Sequence, residues 1–277
     1  MAKQRSKMAA ETASSDPASI DDLLASNLEL AKKLDTLIHL QRMSIMGPER
    51  IFRFASNDAE IAMYLPLAER DFIQSRIIQS GNFYEIRMLE GLKSLGLIKP
   101  GEVIYDVGAN IGNHSLYFAS NFAPKKLVAV EPQNVALAIL RRNLELNEVT
   151  DCEVVNCMIG SSLGTGEVTK HGGDNLGGTS FGENPVGSTP MRTLDDVVNG
   201  CSDGNVDFIK IDVEGMHLQV IDGAKSVLTS ARPKIWIELR NFKGEFEEGV
   251  NALSEYGYVA AARLGPSDHV FMHKDAI

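Results

Sequence analysis

Val103-Ile104-Tyr105-Asp106-Val107-Gly108-Ala109-Asn110-Ile111-Gly112-Asn113-His114 is the stretch on which the fold turns. The apolar run over 103–107 reads as a buried strand. A turn containing Gly108 and Gly112 follows, and an amphipathic helix opens at about Asn113. Strand, glycine turn and helix N-terminus together form a cradle for a nucleotide-like ligand. Glycine lets the backbone come close, and the free N–H groups of the first helical turn face the ligand. A second buried strand, 127–130, ends in Glu131. An acid at the tip of the second strand, about 20 residues past the turn, is where a ribose is held by its hydroxyls.

The glycine spacing is G-x-x-x-G, not the G-x-G-x-x-G of a dinucleotide fingerprint. Asp106, just before the turn, adds a carboxylate to the cradle. A carboxylate is awkward beside a pyrophosphate and suits a cationic ligand that carries an amino acid. S-adenosylmethionine has a sulfonium, an ammonium, a ribose and no phosphate. A nicotinamide cofactor shares the cradle and the ribose acid, and a nicotinamide-dependent oxidoreductase is the alternative reading. A strand-turn-helix without any ligand is the plainest reading of the turn alone, and Glu131 at its distance argues against it.

Outward from the cradle, strands and helices alternate. The spacing predicts a helix over 134–147, a strand over 153–158, a strand over 206–212 followed by a helix over 217–228, a strand over 234–239 and a helix over 246–256. Two short strands, 258–264 and 269–272, are close enough to pair as a terminal hairpin. Such alternation means an α/β fold with a mostly parallel sheet covered on both faces, and ligands at the carboxyl ends of the strands. Asp106, Glu131, Asp212, Glu214 and Glu238 all fall at or just past those ends and can share one rim.

Four runs carry a resemblance: Asp106-Val107-Gly108-Ala109-Asn110-Ile111-Gly112, Glu131-Pro132, Thr193-Leu194-Asp195-Asp196 and Lys210-Ile211-Asp212-Val213-Glu214-Gly215. In this order and spacing the chain resembles the FkbM-type methyltransferases, of the class I S-adenosylmethionine-dependent enzymes, over roughly residues 83–272. The resemblance implies a Rossmann-like sheet of seven strands with the last strand antiparallel. It implies cofactor contacts by Asp106, Gly108, Asn110 and Gly112 around the methionine part and by Glu131 at the ribose. It also implies O-methylation of a hydroxyl, often on a sugar or a secondary metabolite. The family often carries a second glutamate three residues after Glu214, where this chain has His217.

Methyl transfer to a hydroxyl gains from a nearby base, by about 10²–10⁴-fold. Asp212 and Glu214 are the main candidates for base or acceptor binding. His217 is the alternative base, because a histidine ordinarily titrates near neutrality; it also fits as a plain first-turn residue of its helix. Glu238 is a candidate for orienting the acceptor. Asp212, Glu214 and Glu238 could gather around Mg²⁺, but no ligand spacing requires it and no metal is assigned. The run His171-Gly172-Gly173-Asp174-Asn175-Leu176-Gly177-Gly178-Thr179-Ser180 is a long glycine-rich loop. It reads as a lid over the acceptor, with Asn175 and Ser180 as contacts, or else as a surface insertion between two extra short strands.

The 277-residue chain has room for one α/β domain and an extension. Its net charge of -10 argues against a general nucleic-acid or anionic-membrane binder. Cys152, Cys157 and Cys201 make no C-x-x-C pair, which fits reduced thiols and a cytoplasmic protein, with Cys157 buried and inert. Residues 1–18 read as a disordered tail. Ser19 and Asp22 begin a capped helix over 19–46. In it Ile20, Leu23, Asn27, Leu30, Leu34, Leu37 and Gln41 fall at steps of three and four, a heptad seam that Leu24, Ala31 and Ile38 widen. The 20–41 segment is thus a short coiled coil making a homodimer, with Asn27 fixing register, or a helix packed on its own domain. Gly47-Pro48 ends it, 47–99 reads as a helical lead-in, and 100–277 is the catalytic domain. Within the lead-in, Asn82-Phe83-Tyr84-Glu85 either folds over the cofactor mouth or is a plain helix start. A non-catalytic adaptor that oligomerises through the helix is a third functional reading, against which the complete motif set argues.

Overall fold

The computed structural model describes residues 19–57, 59–173, 175–242 and 244–277; the expected tail over 1–18 lies outside them. Helix α1 (Ile20–Ile45) starts at a capping box. The Ser19 hydroxyl accepts from the Asp22 N–H, and the Asp22 carboxylate accepts from the Ser19 N–H, each at 3.1 Å. Arg42 closes its far end against the body by donating to the carbonyl oxygens of Ile78 (2.8 Å) and Gln79 (2.6 Å). The seam between is open to solvent: Ile20, Leu23, Leu30, Leu34 and Leu37 are 54–77% exposed.

The helical lead-in expected over 47–99 is corrected. Strands β1 (Ile51–Ser56) and β2 (Ala59–Tyr64) form an antiparallel hairpin, followed by helices α2 (Phe72–Ser80) and α3 (Ile86–Ser94). The reason is legible in β1, whose Phe52, Phe54 and Ser56 face inward while Arg53 and Ala55 face out, a period of two. The hairpin's edge is tied to the body by side chains. Asn147 accepts from the Ala62 N–H at 2.9 Å, and Asn143 accepts from the Tyr64 N–H at 2.6 Å.

The core follows as β3 (Val103–Val107), α4 (Asn113–Phe122), β4 (Lys126–Val130), α5 (Asn134–Leu146) and β5 (Cys152–Val155). Then come β6 (Met158–Ile159), β7 (Gly164–Lys170), β8 (Ser180–Glu183), β9 (Thr189–Arg192) and α6 (Leu194–Ser202). The chain ends with β10 (Phe208–Ile211), α7 (His217–Asp222), β11 (Lys234–Glu238), α8 (Glu245–Ser254), β12 (Tyr258–Arg263) and β13 (Asp268–His273). The main sheet has seven strands in the order β12-β13-β11-β10-β3-β4-β5. Only β13 runs against its neighbours β11 and β12, so the terminal hairpin and the mostly parallel α/β sheet are as the sequence predicts.

Each face has its own core. Ile104, Leu127 and Ala129 pack toward α4 and α5, together with the hairpin, α2 and α3. Val103, Tyr105, Val107, Val128 and Val130 pack toward α6, α7 and α8. Burial on both faces explains why these strands read as unbroken apolar runs.

Three differences bear on the site. The strand expected over 153–158 is split, because Met158 and Ile159 leave the main sheet to pair with β9. They join a small second sheet, ordered β6-β9-β7-β8, within which the glycine-rich loop connects β7 to β8. The helix expected over 217–228 stops at Asp222, where Gly223 caps it, and a single π-helical turn covers Val227–Ala231. Among the described residues no helix is long and apolar enough to cross a membrane.

Candidate active site

Strand register builds the site. Val107 pairs with Val130 on one side and with Ile211 on the other, and Ile211 pairs with Ile237. The next residue of each strand is therefore Glu131, Gly108, Asp212 and Glu238, which share one rim. They border one open cleft, the kind of concave site in which small molecules bind.

At the cradle, Gly108 has φ 85°, and a Cβ there would overlap the carbonyl oxygen of Asp212. Only glycine fits. The N–H groups of Gly108 and Ala109 both donate to the Val130 carbonyl at 3.0 Å, which folds the turn over β4. Asn110 takes the left-handed conformation, φ 49°, and donates its N–H to Glu131 Oε2 at 2.8 Å. The other oxygen of Glu131 accepts from the Gln133 N–H at 2.8 Å. Glu131 is buried, and burial pushes its pKa up to about 7 against the pull of those two donors. Gly112 lies off the cleft, at the N-terminus of α4, where its bare Cα meets Leu140 of α5.

Asp106 lies beneath the cleft, not in it. It is fully buried, accepts from the Ser115 hydroxyl at 2.6 Å and stands 4.0 Å from Lys210 Nζ. Lys210 is buried too, bonded to Asp212 Oδ2 at 3.1 Å and 5.7 Å from the Trp236 ring centre. Burial works against its charge, but Asp212 and Asp106 outweigh that and raise its pKa. Burial works against the Asp212 charge as well, and Lys210 outweighs it, so Asp212 is held ionised.

On the far side Arg240 Nη2 lies 2.7 Å from Glu214 and 3.1 Å from Glu238. Burial and the charge of Asp212 push the Glu238 pKa up to about 7, with Arg240 opposing. The oxygens of Asp212, Glu214 and Glu238 thus face Lys210 and Arg240, and no metal-holding group of three acids, histidines or cysteines occurs among the described residues.

Two expected contacts are not brought to the cleft. His217 is buried in the first turn of α7, 3.9 Å from Glu245, and burial lowers its pKa. Ser180 opens β8, and by strand alternation its neighbours Thr179 and Phe181 line the cleft instead. Asn175 does line it, and the side-chain oxygens of Asn110 and Asn175 are buried with no hydrogen-bond partner among the described residues.

A further wall comes from upstream, where the sequence allows 82–85 to fold over the cofactor mouth. Phe72, Tyr84 and Glu85 line the cleft from the N-terminal segment. Asn113 pins Tyr84 there, accepting from its N–H at 2.9 Å and donating to its carbonyl at 3.1 Å. Glu85 sits at φ 60° with His114 Nε2 3.3 Å from its carboxylate. Burial pushes its pKa up, but His114 and Lys210 prevail and hold it below the usual value. Of the two readings of 82–85, the contacts with Asn113 and His114 accord with the one that brings Tyr84 and Glu85 to the cleft.

Residues 106–260, more than half of the chain, match the family model described as the methyltransferase FkbM domain. Methyltransferase sdnD of Sordaria araneosa is 29% identical over 153 residues, covering 43% of this chain and 59% of that protein. Methyltransferase 1 of Beauveria bassiana is 23% identical over 180 residues, covering 57% and 72% respectively. The chain thus spans 59% of the length of the first of these relatives. A crystal structure of methyltransferase FkbM from Methylobacillus flagellatus is similar at a TM-score of 0.47 and 17% identity, over 75% of this chain and 57% of that one.

Proposed function

Because the chain belongs to the FkbM methyltransferase family, matched over residues 106–260, we propose that it transfers a methyl group from S-adenosylmethionine to a hydroxyl on a sugar, glycan or secondary metabolite. The observation that carries this reading is one cleft bordered by Gly108, Asn110 and Glu131 and also by Asp212, Glu214 and Glu238.

The residues present fit the cofactor. Gly108 leaves bare backbone where any side chain would collide. The buried oxygens of Asn110 and Asn175 lack donors that a ligand's amine or hydroxyl would supply. Glu131 keeps acceptor capacity for ribose hydroxyls beyond its two backbone bonds. Asp212 offers a fixed negative charge to a cationic group. Asp106 and Gly112 act at one remove, Asp106 by holding Lys210 and Gly112 by letting α5 close on the cradle. When bound, S-adenosylmethionine supplies an electrophilic methyl group on a sulfonium. The charge of Asp212 beside the glycine turn and the absent central glycine disfavour a dinucleotide.

In this reading Glu238 is the base. A carboxylate that titrates near pH 7 can take the acceptor's hydroxyl proton as the oxygen attacks. Asp212, held ionised by Lys210, is the weaker base and the better anchor for a cation. Glu214, bonded to Arg240, orients the acceptor side of the cleft. His217 and Ser180 are not carried forward, because neither reaches the cleft. Three free cysteines, Cys152, Cys157 and Cys201, favour a reducing compartment, the cytoplasm.

The partner of α1 is a second copy of the chain. Asn27 lies within an exposed apolar seam, and the same amide from a parallel helix would satisfy it.

Titration calorimetry with S-adenosylhomocysteine and with NAD tests the cofactor. Binding of the first supports the proposal, and tight NAD binding with none of the first reverses it. Transfer of labelled methyl to hydroxylated compounds in a cell extract tests the activity.

A further inference from the structure

We infer that Asp71, the residue that caps α2, is a positioning residue that latches the glycine-rich loop over the cleft and thereby sets how long the cofactor stays bound. The inference rests on the S-adenosylmethionine reading for its consequence, but not for the latch itself.

Asp71 is 1% exposed, and its two oxygens do different work. Oδ1 accepts from the Gln74 N–H at 2.9 Å, the ordinary capping bond of α2. Oδ2 accepts from the N–H of Leu176, 105 residues away, at 2.8 Å. The carbonyl of the same Leu176 accepts from Gln133 Nε2 at 2.9 Å. Both backbone polar groups of one loop residue are therefore held by side chains, one from α2 and one from just past Glu131.

The adjoining residues follow from this hold. Gly177 is pressed so close that a Cβ would meet Ile73 Cδ1 at 2.8 Å and Asn110 Nδ2 at 3.0 Å. Asn175, on the other side of Leu176, lines the cleft with a buried oxygen that lacks a donor. Apart from these bonds and the packing of the Leu176 side chain on the core, Gly172, Gly173, Gly177 and Gly178 bring no side chains to hold the loop. A charge-assisted bond to a buried carboxylate is among the stronger single attachments a loop can have.

The capping bond uses only Oδ1, so the two jobs can be separated in the full-length protein. Asp71→Asn keeps one acceptor oxygen, which can serve Gln74 or Leu176 but not both, so exchange at both amides shows which bond is lost. Asp71→Ser keeps a good cap and is too short to reach Leu176. Two measurements follow on each: hydrogen exchange at the Gln74 and Leu176 amides, and the dissociation rate of S-adenosylhomocysteine.

The expected result is faster exchange at Leu176 and dissociation about ten-fold faster, with the thermal midpoint within a few degrees of the parent. Unchanged exchange and unchanged dissociation in a folded variant overturn the latch. Faster exchange at Leu176 with unchanged dissociation overturns its effect on the cofactor. Should Asp71→Asn fail to fold, Asp71→Ser decides. Should the parent not bind S-adenosylhomocysteine at all, the cofactor reading has failed, and Leu176 exchange still decides whether Asp71 holds the loop.

Discussion

The Cα of Gly108 faces the carbonyl oxygen of Asp212 so closely that no methyl group fits between them. Two strand ends, those of β3 and β10, are thereby joined backbone to backbone at the point where the cradle opens. Gly108→Ala meets this contact and also a φ of 85°. Neither backbone can retreat without disturbing the sheet. We expect a loss of about 2–4 kcal/mol of stability in denaturant unfolding, with S-adenosylhomocysteine binding abolished. A variant of parental stability and affinity would show that the turn has room.

Glu238 should govern the pH dependence of turnover. Its pKa is raised to about 7 by burial and the neighbouring Asp212. A base works only when deprotonated, so the rate should climb tenfold per pH unit below about 7 and level off above it. Glu238→Gln should remove this rise and lower the rate by about 10²–10⁴-fold, while cofactor affinity stays near the parental value. Rate-pH profiles of the two proteins are the check.

Lys210 sits between Asp106 and Asp212, and Lys210→Met would leave the buried Asp106 and the part-exposed Asp212 without this cation. We expect a loss of about 3–5 kcal/mol near neutral pH. The pH dependence has a definite sign. Because Lys210 holds the folded-state pKa of Asp212 below its ordinary value of 3.8, the stability it confers is present above that value and is lost as pH falls through the folded pKa. The gap between parent and variant should therefore narrow in acid. Urea titrations at pH 7 and about pH 2 would show it, and a constant gap would count against the pairing.

Helix α1 should make the protein a dimer. Leu30 and Leu34 lie mid-seam and are exposed. Leu30→Lys with Leu34→Lys should convert the sedimenting species from two chains to one, without affecting S-adenosylhomocysteine affinity. A parent that already sediments as one chain would remove the pairing.

What could be read in advance was what is local or periodic. The glycine turn, Glu131 and the strand-end acids Asp212 and Glu238 lie within short runs whose chemistry is self-contained, and the parallel strands announce themselves by unbroken apolar residues. Register then follows from the topology, which is why these residues do meet on one rim. What escaped depends on contacts between distant segments. Residues 82–85 can be read as folding over the cofactor mouth, but nothing near Tyr84 or Glu85 says that Asn113 and His114, from the next motif, will hold them there. Ser180 faces away from the cleft because it opens one of the two extra short strands that the sequence offered as an alternative, and strand alternation decides its facing. His217 carried the right chemistry, but the turn of α7 aims it at Glu245. Arg240 was overlooked because its value lies in what it neutralises, Glu214 and Glu238, not in any pattern around it.

The walls of the cleft have a practical corollary. The family match begins at residue 106, whereas Phe72, Tyr84 and Glu85 contribute a side of the cleft from upstream. Anyone trimming the gene to the recognised boundary would excise that side and tear open the apolar layer beneath it, where Phe83 packs on Tyr117. The resulting fragment would retain every hallmark by which the family is detected and have lost the vessel in which they act.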